Sequence, residues 1–271
     1  MKQPTVRSRR QRLGQHFLAN HRVAATIAAA LADEPPRVLE IGPGRGALTR
    51  PLLERFPRVR AVELDAHLAE TLASRLGDPA GLEVWRGDAL HEDLEEMMRD
   101  GPWQVAGNLP YAVATPMVRR LVRWAPAIPR MVVMVQREVA ERFLAPPGNP
   151  HRGLVSVEME LFARSRRLFD VPPGAFSPPP RVVSTVLVIA PQPPPEPPAV
   201  VEGALRLAGA AFTQRRKKLL NSLAEAAPKT LLHQALAEAG CEGGWRPQEV
   251  EAGRWLLLAR ALAKLYDGRT A

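Results

Sequence analysis

Cysteine is nearly absent. Cys241 stands alone among 271 residues, so no disulfide can form within the chain, and a reducing cytoplasm is the expected location. Histidine is also sparse, with six residues scattered outside any zinc-like spacing, and we expect no metal. Apolar runs such as Val23 to Ala32 and Met131 to Val135 fall short of the ~20 residues that cross a bilayer, so no membrane partner is expected. Acids are in deficit. The 37 Lys and Arg exceed the 28 Asp and Glu, and a formal charge of +9 sets up a long-range field suited to a polyanion such as nucleic acid. With 46% hydrophobic residues the chain can fill a core, which excludes disorder, and its length suits one large domain with a smaller one.

From Arg37 onward, short β-rich runs alternate with helical patterns, which predicts an α/β fold with a parallel sheet covered on both faces. The expected strands are Val38 to Ile41, Val59 to Glu63, Leu82 to Arg86, Val105 to Asn108 and Met131 to Gln136. Leu154 to Phe162 and Val182 to Ile189 read as two later strands, one or both antiparallel. The Pro-rich segment 191–199 can neither continue a strand nor start a packed helix, and we take it as a linker. It separates a domain of residues 1–190, whose first twelve residues form a basic arm, from a helical domain of residues 200–271. Within the latter, helices are expected over Ala204 to Phe212, Leu231 to Ala239 and Val250 to Tyr266.

Val38-Leu-Glu-Ile-Gly-Pro-Gly-Arg-Gly-Ala47 is a strand running into a glycine-rich turn. Its spacing also satisfies the dinucleotide fingerprint, so an NAD-dependent oxidoreductase is a rival reading. Three acids bear on that choice, though the first fits either cofactor. Glu63 ends the second strand, where a carboxylate can hold a ribose diol. Asp88 follows the third, where it can accept from an adenine amine. Glu40 sits in the strand just before the glycines, where it would repel a pyrophosphate but suit the ammonium and sulfonium of S-adenosylmethionine. Taken singly, each acid is more often a surface charge or a helix cap than a ligand.

Asn108-Leu-Pro-Tyr111 follows the fourth strand. Pro110 holds Leu109 extended. The Asn108 side-chain oxygen and the Leu109 carbonyl can then accept both hydrogens of an exocyclic amine, and Tyr111 offers a face for a base. Such acceptors favour the charge-bearing geometry reached as the amine is alkylated. A plain turn with a core tyrosine is the competing reading.

Gly14-Gln-His-Phe-Leu18, Glu40-Ile-Gly-Pro-Gly44, Val62-Glu-Leu-Asp65, Gly87-Asp-Ala-Leu90, Asn108-Leu-Pro-Tyr111, the run Val171 to Arg181 and Phe212-Thr-Gln-Arg-Arg-Lys217 together resemble the KsgA-type ribosomal RNA adenine dimethyltransferases. The resemblance spans nearly the whole chain in order. It implies a Rossmann-like class I methyltransferase sheet with a small all-α C-terminal domain, a cytoplasmic monomer. It also implies S-adenosylmethionine-dependent N6,N6-dimethylation of two adjacent adenosines in the 3′-terminal hairpin loop of 16S rRNA, on the assembling 30S subunit. By the same resemblance Gln15, His16, Leu18, Glu40, Gly42, Gly44, Glu63, Leu64, Asp88, Ala89 and Asn108 hold the cofactor. Asn108, Leu109, Pro110 and Tyr111 hold the target base, with Phe176 on its other face. Two departures stand out: Ala112-Val-Ala-Thr-Pro replaces the frequent Asn-Ile-Ser-Thr-Pro, and Glu160 stands where Gln is common.

Arg9, Arg10 and Arg12 of the arm and Arg215, Arg216, Lys217 and Lys218 are expected to meet RNA phosphates, as is the run Arg164, Arg166 and Arg167. The macrolide-resistance type of large-subunit rRNA methyltransferase and a noncatalytic ribosome-assembly factor are the alternatives to the small-subunit enzyme.

Overall fold

A computed structural model describes residues 16–270, with side chains to Tyr266; Gln15 and the arm residues Arg9, Arg10 and Arg12 lie outside the described residues. In chain order the strands are β1 (Phe17–Leu18), β2 (Arg37–Ile41), β3 (Arg58–Glu63), β4 (Leu82–Arg86), β5 (Gln104–Asn108), β6 (Met131–Gln136), β7 (Ala163–Val171), β8 (Phe176–Ser177) and β9 (Ser184–Pro191). The helices are α1 (His21–Ala29), α2 (Thr49–Arg55), α3 (Ala66–Leu76), α4 (Leu94–Met97), α5 (Ala114–Leu121), α6 (Arg137–Phe143), α7 (Leu154–Phe162), α8 (Pro198–Thr213), α9 (Leu219–Ser222), α10 (Lys229–Glu238) and α11 (Ala252–Thr270).

The chain divides into two compact units. Among the described residues, the first runs to Ala140 and adds Ser165–Pro191; the second takes Glu141–Arg164 and everything from Gln192 on. The segment 141–164, expected in the first domain, therefore belongs with the helices.

In the first unit seven strands lie in the order β4-β3-β2-β5-β6-β9-β7. The pairs β3/β4, β2/β3, β2/β5 and β5/β6 are parallel, and β9 runs antiparallel to β6 with Met131 opposite Ile189. The middle strands are continuous apolar runs, such as Met-Val-Val-Met-Val in β6, because both faces are covered. After β2 the chain builds outward to β3 and β4, then returns to place β5 on the other flank of β2. Such a reversal of strand order leaves a crevice at the carboxyl ends of β2 and β5.

The helix starts follow from capping chemistry. The Asn20 side chain accepts from Arg22 N and Val23 N at 3.0 and 3.2 Å, and Asp65 from His67 N and Leu68 N at 3.0 and 3.2 Å, so orphan N–H groups are satisfied at the N-termini of α1 and α3.

The expected strand at Leu154 to Phe162 is instead helix α7. Seven of its nine residues are buried, so no amphipathic period marks it, and its start is fixed by Gly153 N donating to Ser156 Oγ at 3.0 Å. Strand β7 has no counterpart among the expected elements. It lies at the sheet edge with Arg164, Arg166 and Arg167 pointing largely to solvent, and Arg167 pairs with Asp170.

In the second unit Arg152 is fully buried and gathers three segments. Its guanidinium pairs with the Glu160 carboxylate and donates to Ala145 O at 2.7 Å and Val250 O at 3.0 Å. Glu160 Oε2 also accepts from Ala252 N at 3.3 Å, at the start of α11. The glutamate that stands where Gln is common is thus the partly exposed partner of a buried arginine.

Candidate active site

Two lobes open at the carboxyl ends of the strands. The larger, of about 200 Å³, is walled by Ile41 and Gly42 after β2, Val62, Glu63 and Leu64 at β3, Gly87, Asp88 and Ala89 after β4, and Pro110, Ala112, Val113 and Met117 approaching and entering α5. The smaller, of about 70 Å³, is walled by His16, Phe17, Gly42, Gly44, Glu63, Asn108, Leu109, Pro110 and Tyr111. Gly42, Glu63 and Pro110 face both.

Glu63 pins the glycine turn to β3. Its Oε2 accepts from Gly44 N at 3.0 Å and its Oε1 from Asp65 N at 2.9 Å. Burial pushes its carboxyl above the usual range despite those bonds, and each oxygen keeps a second lone pair for a hydroxyl. Gly42 and Gly44 both sit in the left-handed region, at φ +69° and +57°. A Cβ on Gly44 would lie 2.9 Å from Phe17 Cδ1, so the ring of Phe17 can rest on the turn only because that residue is glycine.

Asp88 sits on the wall of the larger lobe. Its Oδ1 accepts from Leu90 N and its Oδ2 meets His91 Nδ1, each at 3.0 Å, which orients the carboxylate. Arg120 of α5 donates to the carbonyls of Ala89 and Glu92, tying the turn down from the other side. Leu64 keeps 55% of its surface exposed against this lobe, a free apolar face of the kind a flat ring covers.

Glu40 is 1% exposed and does not reach either wall. It lies within β2 ahead of the turn, its Oε2 without a hydrogen-bond partner, and burial pushes its carboxyl up to about 8. Burial holds it protonated at neutral pH, so it brings no full charge to a bound cation. Two acids at adjacent strand ends and a turn with glycine at positions 42, 44 and 46 fit a nucleoside that carries positive charge. They suit a pyrophosphate less well.

The smaller lobe is built around Asn108. Its Nδ2 donates to His16 O at 3.0 Å, so the amide spends its donor on the chain and keeps Oδ1 as the acceptor for a ligand. Leu109 lines the small lobe although the residue as a whole is only 1% exposed. Tyr111 OH and Ser184 Oγ lie 2.9 Å apart, and burial pushes the phenol upward. The His16 ring lies 5.7 Å from that of Tyr111, tilted by 32°, and its Nδ1 meets Pro178 O at 2.9 Å.

Two expected site residues are elsewhere. Leu18 and Phe176 face each other across the β1/β8 pair and are 6% and 4% exposed, both in the main core cluster. Directly opposed residues of an antiparallel pair share a face, so once Leu18 turns to the core Phe176 must follow. Phe17, on the alternate face, lines the lobe in their place, with the Arg45 guanidinium 4.7 Å from its ring centre. The sequence reading omits Phe17, Val113 and Met117. Val113 and Met117 are four apart, the spacing that puts two side chains on one side of a helix start, and that is the signal that marks them.

The basic run 215–218 follows α8 in the helical unit. It forms the exposed turn after α8, next to the helix C-terminus, where cations are favoured. Arg215 is partly committed there, donating to Pro150 O at 2.6 Å. Among the described residues no helix is long and apolar enough to cross a membrane.

Comparison with known proteins accords with this geometry. The family described as "Ribosomal RNA adenine dimethylase" matches residues 6–264. Proteins named "Ribosomal RNA small subunit methyltransferase A" from Acinetobacter baylyi and Alcanivorax borkumensis are 38% and 40% identical over 253 residues each, 92% of this chain and 91% and 89% of theirs. Among solved structures, the 23S rRNA methyltransferase ErmE superposes with a TM-score of 0.71 at 27% identity, covering 91% of this chain and 99% of its own. A dimethyladenosine transferase from Plasmodium falciparum superposes with a TM-score of 0.74 at 24% identity, covering 90% and 96%, and shares the fold.

Proposed function

Because this chain belongs to the ribosomal RNA adenine dimethylase family, a family of methyltransferases, we propose that it uses S-adenosylmethionine to dimethylate N6 of two adjacent adenosines in the 3′-terminal hairpin loop of small-subunit rRNA. It does so as a cytoplasmic monomer acting on the assembling subunit. The names of the relatives at 38–40% identity support the small-subunit target over the large-subunit one of ErmE, at 27%.

The cofactor supplies an electrophilic methyl group. The chain supplies the rest. Glu63 takes the ribose diol, Asp88 and Ala89 the adenine amine and ring edge, and Leu64, Val113 and Met117 its faces. Gly42 and Gly44 let the backbone approach, and His16 and Phe17 close the far end. On the substrate side, Asn108 Oδ1 and the Leu109 carbonyl accept the two N6 hydrogens, and the Tyr111 ring supports the base. The amine lone pair is otherwise drawn into the purine ring. Acceptors that grip its hydrogens favour the pyramidal nitrogen of the transition state over the flat ground state. No strong base is needed, since the alkylated nitrogen sheds its proton readily.

The observation that carries this reading is the Asn108 amide, turned by His16 so that its oxygen is left for a donor. Incubating unmodified small subunits with isotopically labelled S-adenosylmethionine and mapping the modified nucleotides tests it. We expect label on two neighbouring adenosines near the 3′ end. Label on large-subunit RNA would transfer the assignment to the ErmE-like activity, and binding without label would leave an assembly factor.

A further inference from the structure

We propose that Ser184 is a positioning residue for methyl transfer, holding the Tyr111 ring in the attitude that receives the target base. The inference rests on the reading of the small lobe as the adenine site and adds to it a residue that touches neither ligand.

Tyr111 follows β5 in the loop before α5, and loops carry conformational freedom that strands do not. Its ring is only half-buried, so packing alone does not fix its χ angles. Two contacts do. The His16 ring lies against it at 5.7 Å, and its hydroxyl reaches Ser184 Oγ at 2.9 Å. Ser184 is the more rigid of the two anchors. It is 0% exposed, is the first residue of β9, and pairs with Gln136 across a ladder that continues through Met131 and Ile189.

The position of the serine therefore carries the geometry of the sheet out to a loop side chain. The segment leading to it is tied to the other ring as well, through His16 Nδ1 and Pro178 O at 2.9 Å. A platform held in place before the base arrives loses little orientational freedom on binding. A ring free to turn would lose more, and the cost would fall on the chemical step.

Ser184→Ala, Tyr111→Phe, the double variant and Ser184→Thr are compared in single-turnover methyl transfer to unmodified small subunits, alongside cofactor affinity by calorimetry and thermal midpoint. Ser184→Ala should slow transfer roughly tenfold, the loss expected for one hydrogen bond. Cofactor affinity should stay within about twofold, since Ser184 lines neither lobe. Tyr111→Phe keeps the ring and removes the same bond, so it should match. The double variant should be no slower than either single one, and Ser184→Thr should recover most of the rate.

An unchanged rate in Ser184→Ala, or losses that multiply in the double variant, overturns the assignment. A fall in cofactor affinity and thermal midpoint matching the fall in rate would instead mark a merely structural role and overturn it too. The wild-type protein run in the same assay separates the outcomes: if it methylates no adenosine, the reading of the lobe itself has failed.

Discussion

Asn108 and His16, 92 positions apart in sequence, are joined by one hydrogen bond from the asparagine Nδ2 to the histidine carbonyl at 3.0 Å. That bond decides which end of the amide a substrate meets. Asn108→Ala should lower single-turnover transfer by about 10²-fold or more, the loss typical of a transition-state hydrogen bond. Thermal stability should fall only by ~1 kcal/mol, because the bond to His16 is partly exposed. Near-normal turnover would refute the role given to Asn108.

Gly44 combines a left-handed φ of +57° with a neighbour 2.9 Å from where a Cβ would stand. Gly44→Ala should cost ~1–2 kcal/mol from the backbone alone and weaken cofactor binding through displacement of Phe17. Adding Phe17→Ala relieves the clash but not the φ. Stability should then recover only in part, which paired denaturant titrations can measure.

Glu40 makes the stability of the protein fall with rising pH. Its folded carboxyl titrates at about 8 against an ordinary 4.5, so the folded state holds a proton that the unfolded chain releases between those values. The stabilisation is fully present below about pH 4.5 and is lost as pH rises through about 8, on the order of 5 kcal/mol in total. Glu40→Gln should flatten that slope. A wild-type melting temperature that climbs from pH 5 to pH 8, with the Gln variant tracking it, would contradict a carboxyl held protonated by burial.

Neutralising Arg216, Lys217 and Lys218 should reduce the slope of log K against log salt for RNA binding by ~0.7 for each phosphate no longer neutralised. Cofactor affinity should not change. Arg215 is left in place because it also holds the carbonyl of Pro150. An unaltered slope would remove this turn from the RNA footprint.

Arg60 lies between two indoles, 5.0 Å from the ring centre of Trp85 and 4.6 Å from that of Trp103, and bonds Glu83 Oε2 through Nε at 2.9 Å. Its side chain is 5% exposed. Arg60→Ala should destabilise by ~2–4 kcal/mol, since it empties a buried site beside two rings and leaves Glu83 with only Trp85 Nε1 and the more distant Arg58. Chemical denaturation checks this, and a loss below ~1 kcal/mol would mean the sandwich is incidental.

The central strands are legible because both their faces are covered, which leaves β2, β5 and β6 largely apolar, while β3 carries Arg58 and Arg60 among its apolar residues. The same completeness of burial hides α7: Leu-Val-Ser-Val-Glu-Met-Glu-Leu-Phe shows no helical stripe and is rich in β-formers. Strand β7 is obscured for the opposite reason, its arginines facing solvent at a sheet edge where no alternation is required. Within the site, the acids and Asn108 can be named from chemistry alone. The parity of a two-residue strand cannot. Whether Leu18 or Phe17 faces the cofactor depends on the β1/β8 pairing, and Phe176 moves with that choice.

Gly42, Glu63 and Pro110 form a party wall between the two lobes. A bisubstrate inhibitor could exploit this: an adenosine seated against Leu64 and a second purine against Tyr111 would be bridged by a short tether running past the carboxylate of Glu63. Under the proposed reading, selectivity over nucleoside-binding enzymes with a single lobe would reside in the tether that bridges the two.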